Sequence, residues 1–260
     1  MSDPDPSASS PLMEMCDATI ASLRDPARVM IEQVNWSARA GDFWAIAGLL
    51  GAGKTDFLSV AAGIMRPLRG TYRLFGRELI PGFEDELLPE RLRVGLVFDG
   101  GQLLSHLTIT ENISLALRYH QNRTPEEVAE CVEAMLALMQ LTPLALRYPG
   151  DISRNWRQRA GLARALMLRP EVLLLDCPLT GLDPWDAQWW LDFLAQLAAG
   201  HRVTDGRPVT LAVTGDDLRP WKTRARQFAV LKNRRLVTRA ASTDHATRDE
   251  ILLQELLGAG

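Results

Sequence analysis

Apolar and polar positions follow two rhythms along this chain, and the switches between them mark out its elements. Asp42-Phe-Trp-Ala-Ile-Ala47 is an apolar run after one charge, the pattern of a buried strand. Short strands are expected over residues 12 to 47, and a helix from Thr55 to Ala62. Gly70-Thr-Tyr-Arg-Leu-Phe75 predicts a strand that ends at Gly76, and Arg93-Val-Gly-Leu-Val-Phe98 predicts another. From about 110 to 147 the spacing is helical. Thr124 as a cap, Pro125 at the first helical position and Glu127 three residues after the cap announce a helix carrying Val128, Val132, Met135, Leu136 and Met139. Val172-Leu-Leu-Leu175 predicts a strand, residues 185 to 198 a helix, and Val209-Thr-Leu-Ala-Val213 a further strand. No internal repeat interrupts this order.

The strongest chemical signal follows the first buried strand. Gly48-Leu-Leu-Gly51-Ala52-Gly53-Lys54-Thr55 places a glycine-rich turn between a strand and a helix, where backbone N–H groups face an anion. In that context Lys54 reaches the β- and γ-phosphates of a nucleotide and Thr55 ligates Mg²⁺. A turn that binds nothing is the bland alternative, and the full motif in the right setting argues against it.

Composition then removes classes of function. The 260 residues carry a formal net charge of -3, so no global basic field attracts nucleic acid. Cys16, Cys131 and Cys177 have no metal-ligand spacing and no disulfide framework. The acidic, proline-rich start, residues 1–11, is expected to be a disordered tail unlike a signal peptide. No apolar stretch reaches membrane-spanning length, so membrane contact is expected through a partner.

With these motifs in sequence order, the chain resembles the ATP-binding subunits of ABC transporters over residues 12–260. The resemblance rests on the phosphate loop, Val97-Phe98 and the loop after it, a helical subdomain over 105–160, Ile152-Ser153 with Arg157-Gln158-Arg159, Val172 to Asp176, and Gly181-Leu-Asp-Pro184. Lys54 and Asp176 are 176 − 54 = 122 residues apart, close to the family's usual separation. The resemblance implies an α/β fold, a P-loop nucleoside triphosphatase core with a helical subdomain and an N-terminal antiparallel β region. ATP and Mg²⁺ are the implied cofactors. Gly48, Gly51, Ala52, Gly53, Lys54, Thr55, Asp176 and Ser153 are the implied nucleotide contacts, and Thr55, Asp176 and Asp99 the implied metal-side residues. Asp183 matches a loop that crosses between subunits in that family.

The departures from the family pattern bear on mechanism. Cys177 stands where the family has a glutamate, and a mostly neutral thiol is a poor holder of an attacking water. Packing is the ordinary role for it and a nucleophile the alternative, though no histidine lies near it in sequence. Gly215 stands where a histidine contacts the γ-phosphate, while Asp216 matches the aspartate usual after it. Asp99 replaces the glutamine after Val97-Phe98; a carboxylate can coordinate Mg²⁺ but has no amide donor. Gln102 is a possible substitute. The family's Leu-Ser-Gly-Gly-Gln reads Ile152-Ser153-Arg154-Asn155-Trp156 here. Ser153 remains at a helix start, whereas Arg154 and Asn155 replace glycines that let backbone approach phosphate. Arg154 is either an ordinary ionic contact or a charge offered to a partner's nucleotide. No aromatic replaces Thr19-Ile-Ala-Ser22 where the family stacks adenine, and Trp36 and Trp44 are core candidates. Trp185 and Trp189 can share one helix face with Trp190 beside it, either as core or as a subunit interface.

Leu103 to Leu117 is similar to a segment of bacterial importers and of lipid-trafficking systems of the mammalian-cell-entry type, with Gly100-Gly101 favouring the latter. The resemblance implies permease subunits, a second ABC ATPase as partner in a heterodimer or a homodimer, and a place at the cytoplasmic face of the inner (plasma) membrane. The principal expectation is an ATP-binding, hydrolysis-impaired subunit supporting transport. The alternatives are an adaptor that keeps the fold without nucleotide, and an active ATPase with an unconventional base, Asp99 being the candidate.

Overall fold

The structure is a computed structural model that describes residues 10–80, 84–121 and 123–238. Most of the expected tail, residues 1–9 of 1–11, lies outside the described residues. In chain order the elements are β1 (Met13–Ala21), β2 (Val29–Ala38), β3 (Phe43–Gly48), α1 (Lys54–Ala61), β4 (Arg69–Leu74), β5 (Arg77–Glu78), α2 (Leu88–Arg91), β6 (Val94–Val97), α3 (Ile109–His120), α4 (Pro125–Leu138), α5 (Arg154–Leu166), β7 (Val172–Leu175), α6 (Pro184–Ala199), β8 (Thr210–Gly215), β9 (Gln227–Lys232) and β10 (Arg235–Thr238). The chain divides into two compact units, residues 1–91 with 210–260, and residues 92–209.

In the first unit an antiparallel sheet runs β2-β1-β4-β5, with Met15 opposite Trp36 on one side and Tyr72 on the other. The remaining strands bring β3 between β8 and β9 in parallel pairing, with β10 antiparallel to β9. The apolar run of β3 is buried on both faces, which parallel strands require. Trp36 lies in the core, its ring edge-on to Phe57 of α1 at 5.1 Å and to Trp44 at 5.8 Å. The placement of both tryptophans as packing residues holds. Tyr72 is fully buried and its hydroxyl donates to the Ala61 carbonyl at 2.5 Å, so α1 is pinned to the antiparallel sheet; burial raises the phenol's pKa above its ordinary value.

In the second unit β6 and β7 pair in parallel, Val97 opposite Leu175. Helices α3 and α4 each begin in a capping box, Thr108 with Glu111 and Thr124 with Glu127. The Thr108 backbone N–H and hydroxyl hold the Glu111 carboxyl below its ordinary pKa. The five apolar residues expected to face the core from α4 and its end, Val128, Val132, Met135, Leu136 and Met139, are all buried. Asn112, fully buried on α3, accepts from the Leu104 N–H at 2.8 Å and donates to the carbonyls of Leu104, Leu107 and Thr108. One side chain thus ties the segment before α3 to the helix.

Helix α6 gives its three tryptophans three different surroundings. The inward face is Trp190, Leu194 and Leu197, at spacings of four and three, with Trp190 donating to the Asn155 side chain at 3.3 Å. Trp185 is 87% exposed and does not share in the packing. Trp189 is half-buried, stacked on Phe193 at 5.1 Å, with the Arg159 guanidinium over its ring at 3.8 Å. Arg159 also lies 4.8 Å from the Trp156 ring and bonds Gln140 and Asp186, each at 2.8 Å. Burial lowers its pKa, and Asp186 works in the opposite direction.

Candidate functional site

The phosphate loop begins where β3 ends. Gly51 and Gly53 have φ of 78° and 95°, values that L side chains adopt only under strain. A Cβ on Gly53 would also stand 3.1 to 3.2 Å from Ile31 and Met30, so both conformation and space require glycine there. Gly53 is the N-cap of α1, and its side-chain-free end leaves the first N–H groups of that helix without a side-chain cap. Lys54 is buried to 8% exposure, and its ammonium turns back into the loop. It donates to the Gly48 carbonyl, to the Leu49 carbonyl at 3.4 Å and to Asp216 Oδ1 at 2.6 Å. A cavity of about 730 Å³ opens beside Gly48 to Ala52 and Asp216. A second anchor is Asp56, which accepts from the Leu23 N–H at 2.6 Å and joins α1 to the end of β1.

The Lys54–Asp216 contact joins residues 162 positions apart, and no local signal in the sequence announces it. Asp216 is read from sequence as a turn cap or as a match to a pattern; in the structure it is the counter-ion of the loop lysine. Gly215, before it, has no positive φ, and a Cβ there would meet only Asp217 backbone atoms at 3.7 Å or more. The glycine is therefore a chemical choice with no steric demand behind it.

In the second unit Asp176 is 3% exposed at the end of β7, its N–H bonded to the Val97 carbonyl at 2.8 Å. Cys177 follows at φ 48°, half-buried, so the turn after the strand is held in a left-handed conformation by a residue other than glycine. Its carbonyl accepts from Gln158 Nε2 at 3.4 Å. Ser153 is the N-cap of α5 and makes no capping hydrogen bond with its side chain. Arg154, the first residue of α5, turns its guanidinium to Asp99 and to the Thr180 carbonyl. The two departures at 99 and 154 are thus one ion pair.

The rest of that loop is fixed to α5 as well. Gly101 has φ 79°, and a Cβ on it would lie 2.2 Å from the Arg157 carbonyl oxygen. A Cβ on Gly161 would lie 2.8 Å from the Gly101 Cα, so loop and helix touch backbone to backbone. Arg164 donates to the carbonyls of Gly101 and Gln102 at 3.0 and 3.1 Å; burial lowers its pKa. Gly101 therefore has a packing reason of its own. Asp183 caps α6 by accepting from the Trp185 and Asp186 N–H groups at 2.8 and 2.9 Å.

A sequence-family model described as ABC transporter matches residues 31–180, more than half the chain. The chain belongs to the ABC transporter family. This ABC chain is 36% identical over 172 residues to the Mycobacterium tuberculosis protein named probable ribonucleotide transport ATP-binding protein mkl, a match covering 65% of the chain and 48% of that protein. It is 35% identical over 199 residues to the methionine import ATP-binding protein MetN of Brucella abortus, covering 76% of the chain and 53% of that protein. The chain spans about half the length of the curated relatives it matches. Its fold is similar to that of the ATP-binding cassette MJ0796 solved with ADP and Pi, with a TM-score of 0.76 and 24% identity over 89% of this chain and 99% of that one. CbiO1 from Clostridium perfringens has a TM-score of 0.70 at 19% identity, covering 88% of each chain. The ABC ATPase fold expected from the motif series, with its antiparallel β region, is the fold observed.

Proposed function

We propose that this chain is the ATP-binding subunit of a membrane transporter, hydrolysis-impaired on its own and paired with a competent ATPase. The observation that carries the nucleotide reading is Lys54, buried in an intact glycine loop and held there by main-chain carbonyls and one carboxylate. Such a cradle fits a polyphosphate: Gly48, Gly51, Ala52 and Gly53 supply close backbone, α1 its N-terminal N–H groups, and Lys54 a positive charge. Thr55, Asp176 and Asp99 are the proposed Mg²⁺-side residues and Ser153 a further nucleotide contact, assigned from motif position. When bound, Mg²⁺ neutralises phosphate charge. Among the described residues no cluster of three or more His, Cys, Asp or Glu forms a ready metal cage, which suits an ion that shares its ligands with phosphates.

Impaired hydrolysis follows from Cys177 and Gly215, which put a thiol and a hydrogen where the family pattern has a base and an imidazole. The engagement of Asp99 with Arg154 weighs against Asp99 as a replacement base. Docking on permease subunits is assigned to the Asp99 loop and the helical subdomain 105–160, with lipid as the transported class on the likeness of residues 103–117. Among the described residues no helix is long and apolar enough to cross a membrane, consistent with a peripheral place at the cytoplasmic face of the inner membrane, held by the permease.

The test is equilibrium binding of a fluorescent ATP analogue to the purified chain, with single-turnover hydrolysis measured alongside. Binding that weakens at least tenfold in Lys54→Ala, with hydrolysis appearing only in the Cys177→Glu, Gly215→His double variant, is expected. Turnover by the unaltered chain alone would sink the impaired reading, and failure to bind nucleotide would sink the whole proposal in favour of an adaptor.

A further inference from the structure

Helix α4 carries more apolar surface than its core uses. Beyond the buried face, Cys131, Ala134 and Leu138 fall at spacings of three and four and are half-buried or exposed. They line a trough of about 590 Å³ together with Met167 and Val203. Its charged lining residues are Arg123, Arg169 and Arg202, and no Asp or Glu contributes. Arg169 is matched by Asp205 at 2.7 Å, whereas Arg123 donates to the Cys131 sulfur at 3.0 Å, which offsets no charge.

An open apolar floor with a basic rim is the surface expected at a protein contact, where arginine is enriched and patches of this kind are otherwise costly. We infer that this trough receives an amphipathic helix of another protein of the assembly, its apolar stripe on Cys131, Ala134 and Leu138 and a row of Asp or Glu against Arg123 and Arg202. The shape of the wall selects a helix over an acyl chain. Ala134 and Ala137 are exposed along α4, and small side chains let two helix axes approach to about 8–10 Å. From Cys131 to Leu138 the wall runs about 10 Å, two turns of a helix laid alongside. None of the lining residues falls within 99–112, so the trough lies apart from the Asp99 loop, although it shares the helical subdomain 105–160 with the proposed permease contact, and the inference rests on that reading of an assembly.

The test places a photoreactive benzoylphenylalanine at Ala134 of the full chain in its own cells, irradiates them, and sequences the cross-linked product by mass spectrometry. The same probe at Glu130, exposed on α4 and outside the trough, is the control. Expected is an adduct to a single segment whose apolar residues recur at helical spacing beside Asp or Glu. Its yield falls at least fivefold with Arg123→Glu and Arg202→Glu together, and falls in the same direction with Arg202→Gln alone. Circular-dichroism melting, unchanged in these variants, reports that the chain is folded whether or not it binds nucleotide. An adduct to phospholipid, an adduct to a second copy of this chain, a yield no higher than at Glu130, or a yield indifferent to charge reversal overturns the inference.

Discussion

Replacing Asp216 with asparagine should tighten nucleotide binding, although it deletes an ion pair from the proposed site. Lys54 is 8% exposed and Asp216 63% exposed, so the carboxylate stays in contact with water while it occupies the lysine at 2.6 Å. At about 4 Å in water-like surroundings two unit charges interact by roughly 1 kcal/mol, and exposed pairs return about 0.2–1 kcal/mol once screening is counted. An incoming polyphosphate has to displace that contact and then meets the same carboxylate as a like charge. Asp216→Asn removes both costs while keeping the side chain's size. A gain of about 1 kcal/mol corresponds to roughly fivefold tighter binding. Titration with a fluorescent ATP analogue at low and high salt measures it. The gain should shrink as ionic strength rises, and adenosine, which has no phosphate, should not distinguish the two proteins. Equal or weaker binding by Asp216→Asn would mean that Asp216 orients Lys54 for the ligand and is no competitor for it.

Arg159→Ala should cost about 3 kcal/mol, because it empties the space between Trp156 and Trp189 and leaves Asp186 without its cation; scanning calorimetry should show a fall of roughly 6–12 °C, and a shift under 2 °C would contradict the role given to that cluster. Asp99→Asn and Arg154→Gln, exposed to 51% and 31% at their side chains, should each destabilise by less than about 1 kcal/mol. The double variant should lose no more than the worse single one, and strict additivity in denaturant titrations would dissolve the pair. Arg93 holds the Glu171 carboxyl below its ordinary value of 4.5 through bonds of 2.7 and 2.9 Å. A depressed folded pKa contributes stability above the unfolded pKa that is lost as pH falls through the folded one. Melting temperatures of the unaltered chain and Arg93→Gln should therefore differ at neutral pH, with a gap that narrows as the solution is acidified below about 4.5, and a gap that does not change with pH counting against the pair.

What could be read in the sequence was whatever is decided within a few residues. Thr124, Pro125 and Glu127 fix the start of α4 through bonds that span one turn, and the positive φ that calls for glycine at 53 belongs to the loop that it closes. The strands announced themselves as apolar runs, with ends displaced by a residue or two, as for β8 at 210–215 against the expected 209–213. Partnerships across long separations left no local trace. Lys54 and Asp216 each had a reading of their own, and so did Asp99 and Arg154, although each pair shares one contact. The tryptophans of α6 stayed open between core and interface because adjacent large residues give two equally good stripes; only the observed packing shows that Trp190 goes inward and Trp185 outward.

The backbone contact between Gly101 and Gly161 makes the turn after β6 and helix α5 a single stiff piece, with Arg164 and the Asp99–Arg154 pair as bolts at either end. Ser153 stands at the head of that helix, one turn before Arg157, whose carbonyl faces Gly101. Displacement of either piece must carry the other with it or open the contact between them. It also carries an evolutionary cost, since neither glycine can acquire a side chain unless the opposite backbone moves away at the same time.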